Sequence, residues 1–231
     1  MSIIPDPLSH TIGSHAACIS LVPIFNHLKE EQMKEVAVTT QARSYQKGEY
    51  IYRPGDTSDT LYIVNGGLVR IFRMTESGKE QLVRFLKPGD FTGELALFNS
   101  ATHESFAEAI KDTTICMVQK KDLKGLLSKY PEISLKIMEE FSSRLEQSEK
   151  QTTMVATEKV ENRLALFLAE LMEVGNPVIT LPMTKKDLAS YLGTTPETVS
   201  RKLGELEDKG LIQQLSNKKI KIPDVDELLL L

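Results

Sequence analysis

The feature that most restricts this chain is a change of character at Lys120. From Gln46 to about Gln119 glycine recurs, at Gly48, Gly55, Gly66, Gly67, Gly78, Gly89 and Gly93. Several of these sit in turn signals: RPGD at Arg53–Asp56, TESGK at Thr75–Lys79 and KPGD at Lys87–Asp90. In such turns Gly supplies positive φ, while Asp and Ser supply local hydrogen bonds. Between them lie short apolar runs such as TLYIV, LVRIF and QLVRFL. Short β-branched and aromatic runs with a turn about every ten residues predict a β-sandwich, barrel or jelly roll. Upstream, residues 1–24 lack a period and read as an extended arm, and NHLKEEQMKEVAVTT carries Leu28, Met33 and Val36 at helical spacing.

From Lys120 the glycines thin out and the pattern turns helical as far as Val174, with a break near Pro131. Met138, Phe141, Leu145, Ser148, Thr152 and Val155 recur at the alternating three- and four-residue spacing of a coiled-coil seam. A helix this long has a second face that one β-domain leaves uncovered, which predicts a homodimer. GNP at Gly175–Pro177 ends the helical region, and VITLP reads as a short strand.

The last segment, MTKKDLASYLGTTPETVSRKLGELEDKGLIQ, gives two helices around LGTT. Thr184 caps the first in an acidic capping box with Asp187, and Leu188, Ala189 and Leu192 form its apolar face. Gly193 supplies the turn; Thr195 and Pro196 open the second helix as N-cap and first helical residue. That helix segregates cleanly at 3.6 residues per turn, with Val199, Leu203 and Leu206 on one face and Glu197, Ser200, Arg201 and Gly204 on the other. LIQQLSNKKIKIP then reads as a β-hairpin carrying Lys218, Lys219 and Lys221. Two helices, a tight turn and a basic hairpin make a winged helix-turn-helix, whose second helix enters the DNA major groove. Arg201 can donate bidentately to guanine, Glu197 can accept from cytosine, and Ser200 can reach either edge. Thr184, Lys185, Lys186, Thr195, Thr198, Lys202, Lys218 and Lys219 are the expected contacts to the DNA backbone.

Composition sets limits on these readings. A formal charge of −4 on 231 residues argues against a protein that coats nucleic acid without selectivity. Two cysteines do not make a secreted disulfide scaffold, no apolar run is long enough to span a membrane, and the N-terminus is not a signal peptide. The expected location is the cytoplasm. No arrangement of nucleophile, base and orienter appears, nor a phosphate loop, so the chain is not expected to be an enzyme.

Together these readings give an α+β chain: an arm over 1–24, a jelly-roll-like β-roll over 25–128, a dimerisation helix over 129–156 and a winged helix-turn-helix over 157–231. That order resembles the CRP/FNR family of bacterial transcription regulators over nearly the whole chain. KPGDFTGELALF (Lys87–Phe98) resembles the family's effector segment, and TPETVSR its recognition helix, with the FNR-type Glu-x-x-Ser-Arg pattern at Glu197, Ser200 and Arg201. The resemblance implies a homodimer on an inverted repeat with TGA and TCA half-site cores, RNA polymerase as a further partner, and an effector region including Glu94, Leu95, Glu104 and Ser105. Cyclic-AMP-binding members carry Arg-Ser where this chain has Glu104-Ser105, so the resemblance does not extend to that ligand. Cys116 falls where FNR-type members carry one cluster-ligating cysteine, but only Cys18 stands upstream, too few thiolates for a four-iron cluster. The pattern is similar to FNR-like regulators of Gram-positive, lactic-type bacteria in which a thiol pair replaces the cluster.

Three readings of the cysteines stay open on sequence. Cys18 and Cys116 form a reversible disulfide pinning the arm to the β-roll. Or they join His15, with His10 or a carboxylate, around zinc or copper. Or they are unrelated thiols, with Cys116 a small core hydrophobe. A small molecule held in the β-roll, or no effector at all, are the further alternatives. His27, in a helix, and His103, in a loop, read as plain surface residues.

Overall fold

The structure, a computed structural model, describes residues 19–57, 59–76, 78, 80–94, 102–173 and 175–231. The chain divides into two compact units, Met1–Lys79 with Val83–Arg144 and Glu80–Leu82 with Leu145–Leu231.

The first unit is a roll of two antiparallel four-stranded sheets. Its strands are β1 (Thr40–Tyr45), β2 (Tyr50–Tyr52), β3 (Thr60–Gly66), β4 (Val69–Met74), β5 (Glu80–Leu86, from Val83 on in this unit), β6 (Phe91–Thr92), β7 (Phe106–Ala109) and β8 (Thr113–Gln119). They are ordered β1-β8-β3-β6 in one sheet and β2-β7-β4-β5 in the other. The runs TLYIV, LVRIF and QLVRFL fall in β3, at the start of β4 and in β5. β1 lies ahead of the first expected strand. Its sequence TQARSY has no apolar alternation, because four of its six side chains are exposed at the sheet edge.

The β1-β8-β3-β6 sheet is buried on both faces. Val64 and Ile115 face the second sheet and pack with Tyr52, Val69, Ile71 and Ala107. Their neighbours Ile63 and Cys116, paired across β3 and β8, face the other way. That outer face is covered by α1 (Glu30–Val38), α2 (Lys120–Lys129) and the start of α3 (Glu132–Thr157), through Val36, Leu123, Leu126, Ile133 and Ile137. Such two-sided burial explains why β8 reads TTICMVQ rather than as strict alternation.

Two expectations are corrected here. The segment 1–24 is not an extended arm throughout: Ile19, Val22 and Ile24 are fully buried, with Phe25 and Leu28, in the cluster that contains Cys116. Apolar ISLVPIF closes the core under the helices, and burial overrides the lack of period. His27 lies in the turns before α1 rather than in a helix, and is exposed.

The second unit holds the C-terminal part of α3, then α4 (Val160–Glu170), β9 (Val178–Thr180), α5 (Lys185–Tyr191), α6 (Pro196–Asp208), β10 (Gln213–Gln214), β11 (Lys219–Lys221) and α7 (Val225–Leu229). Its three strands are ordered β10-β11-β9. The helical region breaks beside Pro131, as expected, and again at Lys159, whose extended backbone caps α4. Leu164 and Leu168 of α4, Leu188 of α5 and Val199, Leu203 and Leu206 of α6 form the buried core.

Along α3 the seam stands open in the single chain. Met138 and Leu145 are each 60% exposed, and Ser148, Thr152 and Val155 are exposed as well. Phe141 departs from the row: it is half-buried, packed on the first unit's own core. No helix among the described residues is long and apolar enough to cross a membrane.

Candidate nucleic-acid interface

The caps of both helices form as local chemistry dictates. The Thr184 hydroxyl accepts from the Asp187 backbone N–H at 3.2 Å and donates to the Asp187 carboxylate at 2.7 Å. The box therefore closes through the hydroxyl, where a conventional one closes on the N-cap backbone N–H. Thr195 accepts from the Thr198 backbone N–H at 3.3 Å, with Pro196 in the first turn. A cap of this kind is worth about 1 kcal/mol. Gly193 between the helices has φ +67°, a left-handed turn conformation that L side chains rarely adopt.

A buried arginine fixes that turn. Arg163 of α4 donates from Nη1 to the Leu192 carbonyl at 2.6 Å, satisfying the end of α5. The sequence reading passed over Arg163; its signal is a lone charge in the otherwise apolar RLALFL of a helix.

With Val199, Leu203 and Leu206 fully buried, α6 presents Glu197, Ser200 and Arg201 outward, all exposed. The Glu197 carboxylate folds back on the helix start. Its own backbone N–H first, and the Thr195 hydroxyl second, hold it below its ordinary pKa. Arg201 donates from Nη1 to Glu205 Oε1 at 2.6 Å. Gly204 leaves open space: a methyl group there would meet nothing within 4 Å.

Lys202, an expected contact to the DNA backbone, is held by acids of its own chain. Its side chain is 19% exposed and lies between Glu161 of α4, at 3.0 Å, and Glu205. Lys209 joins the same Glu161 at 2.6 Å. Position 202 lies one residue beyond the outward row, so its chain wraps back against α4. Of the other expected backbone contacts, Thr184, Lys186, Thr195, Lys218 and Lys219 are exposed, and Lys185 and Thr198 are half-buried.

The wing is the β10–β11 hairpin. Lys218 lies in the turn, and Lys219 and Lys221 occupy the exposed positions of β11 on either side of buried Ile220. Glu207 of α6 ties the hairpin to the helix through Gln214.

Residues 162–231 match the family described as Crp-like helix-turn-helix domain, and residues 42–130 match the cyclic nucleotide-binding domain. Probable transcriptional regulator flp of Lacticaseibacillus casei is 34% identical over 92% of this chain and 96% of its own length. The chain belongs to the CRP/FNR family of transcription regulators. Among solved structures, FixK2 from Bradyrhizobium japonicum is 28% identical with a TM-score of 0.70, over 82% of this chain and 95% of that one. A CRP/FNR-family regulator from Thermus thermophilus is 29% identical with a TM-score of 0.61, over 83% and 99%. Like its homologues, this CRP/FNR protein is a DNA-binding regulator and not an enzyme.

In the first unit, the acids of the expected effector region are answered by arginines. Glu94, 8% exposed, accepts through Oε1 from Arg144 at 2.8 Å and Arg84 at 3.1 Å. Its Oε2 has no partner among the described residues. Arg144 also donates to Glu140 and the Phe91 carbonyl and lies 4.1 Å from the Phe91 ring centroid. Glu104 turns outward to Arg73 at 2.8 Å, and Glu108 pairs with Arg70 at 2.7 Å. Ser105 joins the hydroxyl of Tyr52, and Leu95 lies outside the described residues.

His103 is a correction. It is not a surface residue but 8% exposed, stacked on Tyr52 at 3.7 Å between centroids, with Nε2 unpartnered among the described residues. Burial pushes its imidazole below the ordinary value, against the pull of Asp56 and Glu94. No local sequence signal marks this burial: Tyr52 and Tyr62, the rings beside His103, sit on strands far back in the chain.

Cys116 is fully buried on the helix-facing side of β8, between Ala42 and Ile63. Cys18, His10 and His15 lie outside the described residues. Among the described residues no group of three or more His, Cys, Asp or Glu side chains is placed to hold a metal ion.

Proposed function

We propose that this protein is a homodimeric cytoplasmic regulator that reads an inverted repeat with TGA and TCA half-site cores, one recognition helix per half-site, with RNA polymerase as a further partner. The observation that carries the reading is the exposed row of Glu197, Ser200 and Arg201 on a helix whose opposite face is fully buried. Supporting the dimer, Leu135, Met138 and Leu145 are each about 60% exposed along α3, an apolar row that a second copy would cover. Fluorescence anisotropy on a duplex bearing the repeat, against a scrambled duplex at one salt concentration, tests it. Specific binding in a two-chain complex is expected; equal affinity for both duplexes would refute base reading.

For control, the reading is a Cys18–Cys116 thiol pair. Supporting it, Ile19, next to Cys18 in sequence, packs in the same buried cluster as Cys116. Because Cys116 is fully buried, a reagent in solution would reach it only if the 19–28 segment that covers it lifts. Binding by wild type and Cys18→Ser, each reduced with dithiothreitol or oxidised with diamide, decides it. A redox response in wild type alone supports the pair; equal binding in all four samples refutes it.

One observation favours a second reading, a small molecule held in the β-roll. Glu94 Oε2 and His103 Nε2 are both buried and unpartnered among the described residues. With Arg84 and Arg144 committed to Glu94, and Glu104 standing at the phosphate-arginine position, a cyclic nucleotide is not the molecule proposed.

A further inference from the structure

We propose that Glu205 is a positioning residue that holds the Arg201 guanidinium for guanine, and that Lys202 and Glu161 hold Glu205 in turn; this rests on Arg201 being a base reader. Glu205 stands one turn beyond Arg201 on α6 and takes Nη1 at 2.6 Å. Among the described residues no hydrogen bond engages Arg201 Nε or Nη2. Those two groups donate from one edge of the planar fork, an edge able to match guanine O6 and N7. A carboxylate behind Nη1 therefore leaves the reading edge open while fixing the plane of the fork.

A surface carboxylate four residues along a helix does little if it is itself mobile. This one is fixed from inside. Its second oxygen accepts from Lys202, which is 19% exposed and is bound at 3.0 Å to Glu161 of α4. Glu161, 18% exposed, is held again by Lys209 at 2.6 Å. The charges alternate along one chain: Arg201, Glu205, Lys202, Glu161, Lys209. Lys202, the residue expected to touch phosphate, is instead the anchor that makes Glu205 a rigid support. Ordering the arginine before binding removes part of the rotamer entropy that a free arginine loses on the base.

The experiment uses the full-length protein on the inverted repeat, on the same repeat with 7-deazaguanine in the TGA core, and on a scrambled duplex. Losing N7 is expected to cost wild type about tenfold in affinity, within the range for a bidentate guanine contact. In Glu205→Ala that penalty falls to about threefold or less, and preference for the repeat over the scrambled duplex falls by a similar factor. Glu205→Gln, which keeps an acceptor oxygen, restores most of both. Thermal denaturation confirms that the variants stay folded, since a merely structural role would move the melt and not the N7 penalty. If Glu205→Ala tightens both duplexes equally with the penalty intact, Glu205 is only a negative charge near DNA and the proposal is overturned. If Arg201→Ala leaves the penalty unchanged, Arg201 is not a base reader, and both this proposal and the reading beneath it fall.

Discussion

Glu207 of α6 accepts two hydrogen bonds from one residue of the wing, the Gln214 backbone N–H at 2.7 Å and its side-chain amide at 2.8 Å. The wing thus takes its place from α6, the proposed recognition helix. Removing the pair by Glu207→Ala leaves Gln214 without either acceptor. The expected result is faster amide hydrogen exchange at Gln214 with little change at Val199 or Leu203 in the core. Unchanged exchange at Gln214 would mean that the β10–β11 ladder alone holds the hairpin.

On the proposed reading, the wing's lysines meet phosphates, a contact that is electrostatic and blind to sequence. Lys219 is exposed on β11. Lys219→Ala should weaken the repeat and a scrambled duplex alike and lower the slope of log affinity against log salt by about 1. A salt series on both duplexes measures it; an unchanged slope would place the wing off the DNA.

The DNA-reading unit was legible in the sequence because its signals are local. Caps at Thr184 and Thr195, the turn at Gly193 and the split faces of α6 all lie within residues 184–208, and each side chain meets a neighbour three or four positions away. What sequence reading missed depends on residues far apart in the chain. Arg163 and Leu192 are 29 positions apart, and Lys202 and Glu161 are 41. Periodicity marks which face of a helix is apolar, but not which long side chain bends back to a distant acid. His103 was misplaced for the same reason: its burial comes from Tyr52 and Tyr62, on strands far back in the chain. The buried stretch Ile19–Phe25 shows the converse, an apolar run without period that the core takes up regardless.

Gly204 separates folding from binding. It sits inside α6, where glycine costs about 1 kcal/mol relative to alanine, and no atom of the chain would obstruct a methyl group there. Gly204→Ala should therefore raise stability, by about 0.5–1 kcal/mol in denaturant unfolding. If the backbone approaches the groove at this position, the same change weakens the specific complex. A variant that is more stable and binds equally well would show that the DNA keeps clear of residue 204.

His103 gives the first unit a dependence on acid. Its pKa in the fold is lowered, by burial first, from the ordinary value of 6.5, so the folded state keeps it neutral where the unfolded chain takes up a proton. Its contribution is fully present above pH 6.5 and is lost as pH falls from there through the folded value. Thermal melts of wild type and His103→Asn across this range should converge or cross on acidification, with wild type falling more steeply. Parallel curves would mean that the imidazole is not what titrates.

The open seam on α3 predicts how binding depends on assembly. Leu145 is 60% exposed in the single chain and lies in the middle of the row from Met138 to Val155. A carboxylate there would be buried against its own copy across a two-fold interface, with no cation in the row to answer it. Leu145→Glu should therefore sediment as a monomer that keeps the wild-type helical circular dichroism. Each recognition helix would then act alone, losing the gain from two linked sites, about 10²–10⁴ in affinity for the full repeat. Binding to a duplex with a single half-site should stay at the wild-type level. A Leu145→Glu protein that remains dimeric, or that loses single half-site binding as well, would show that α3 does not pair through this row.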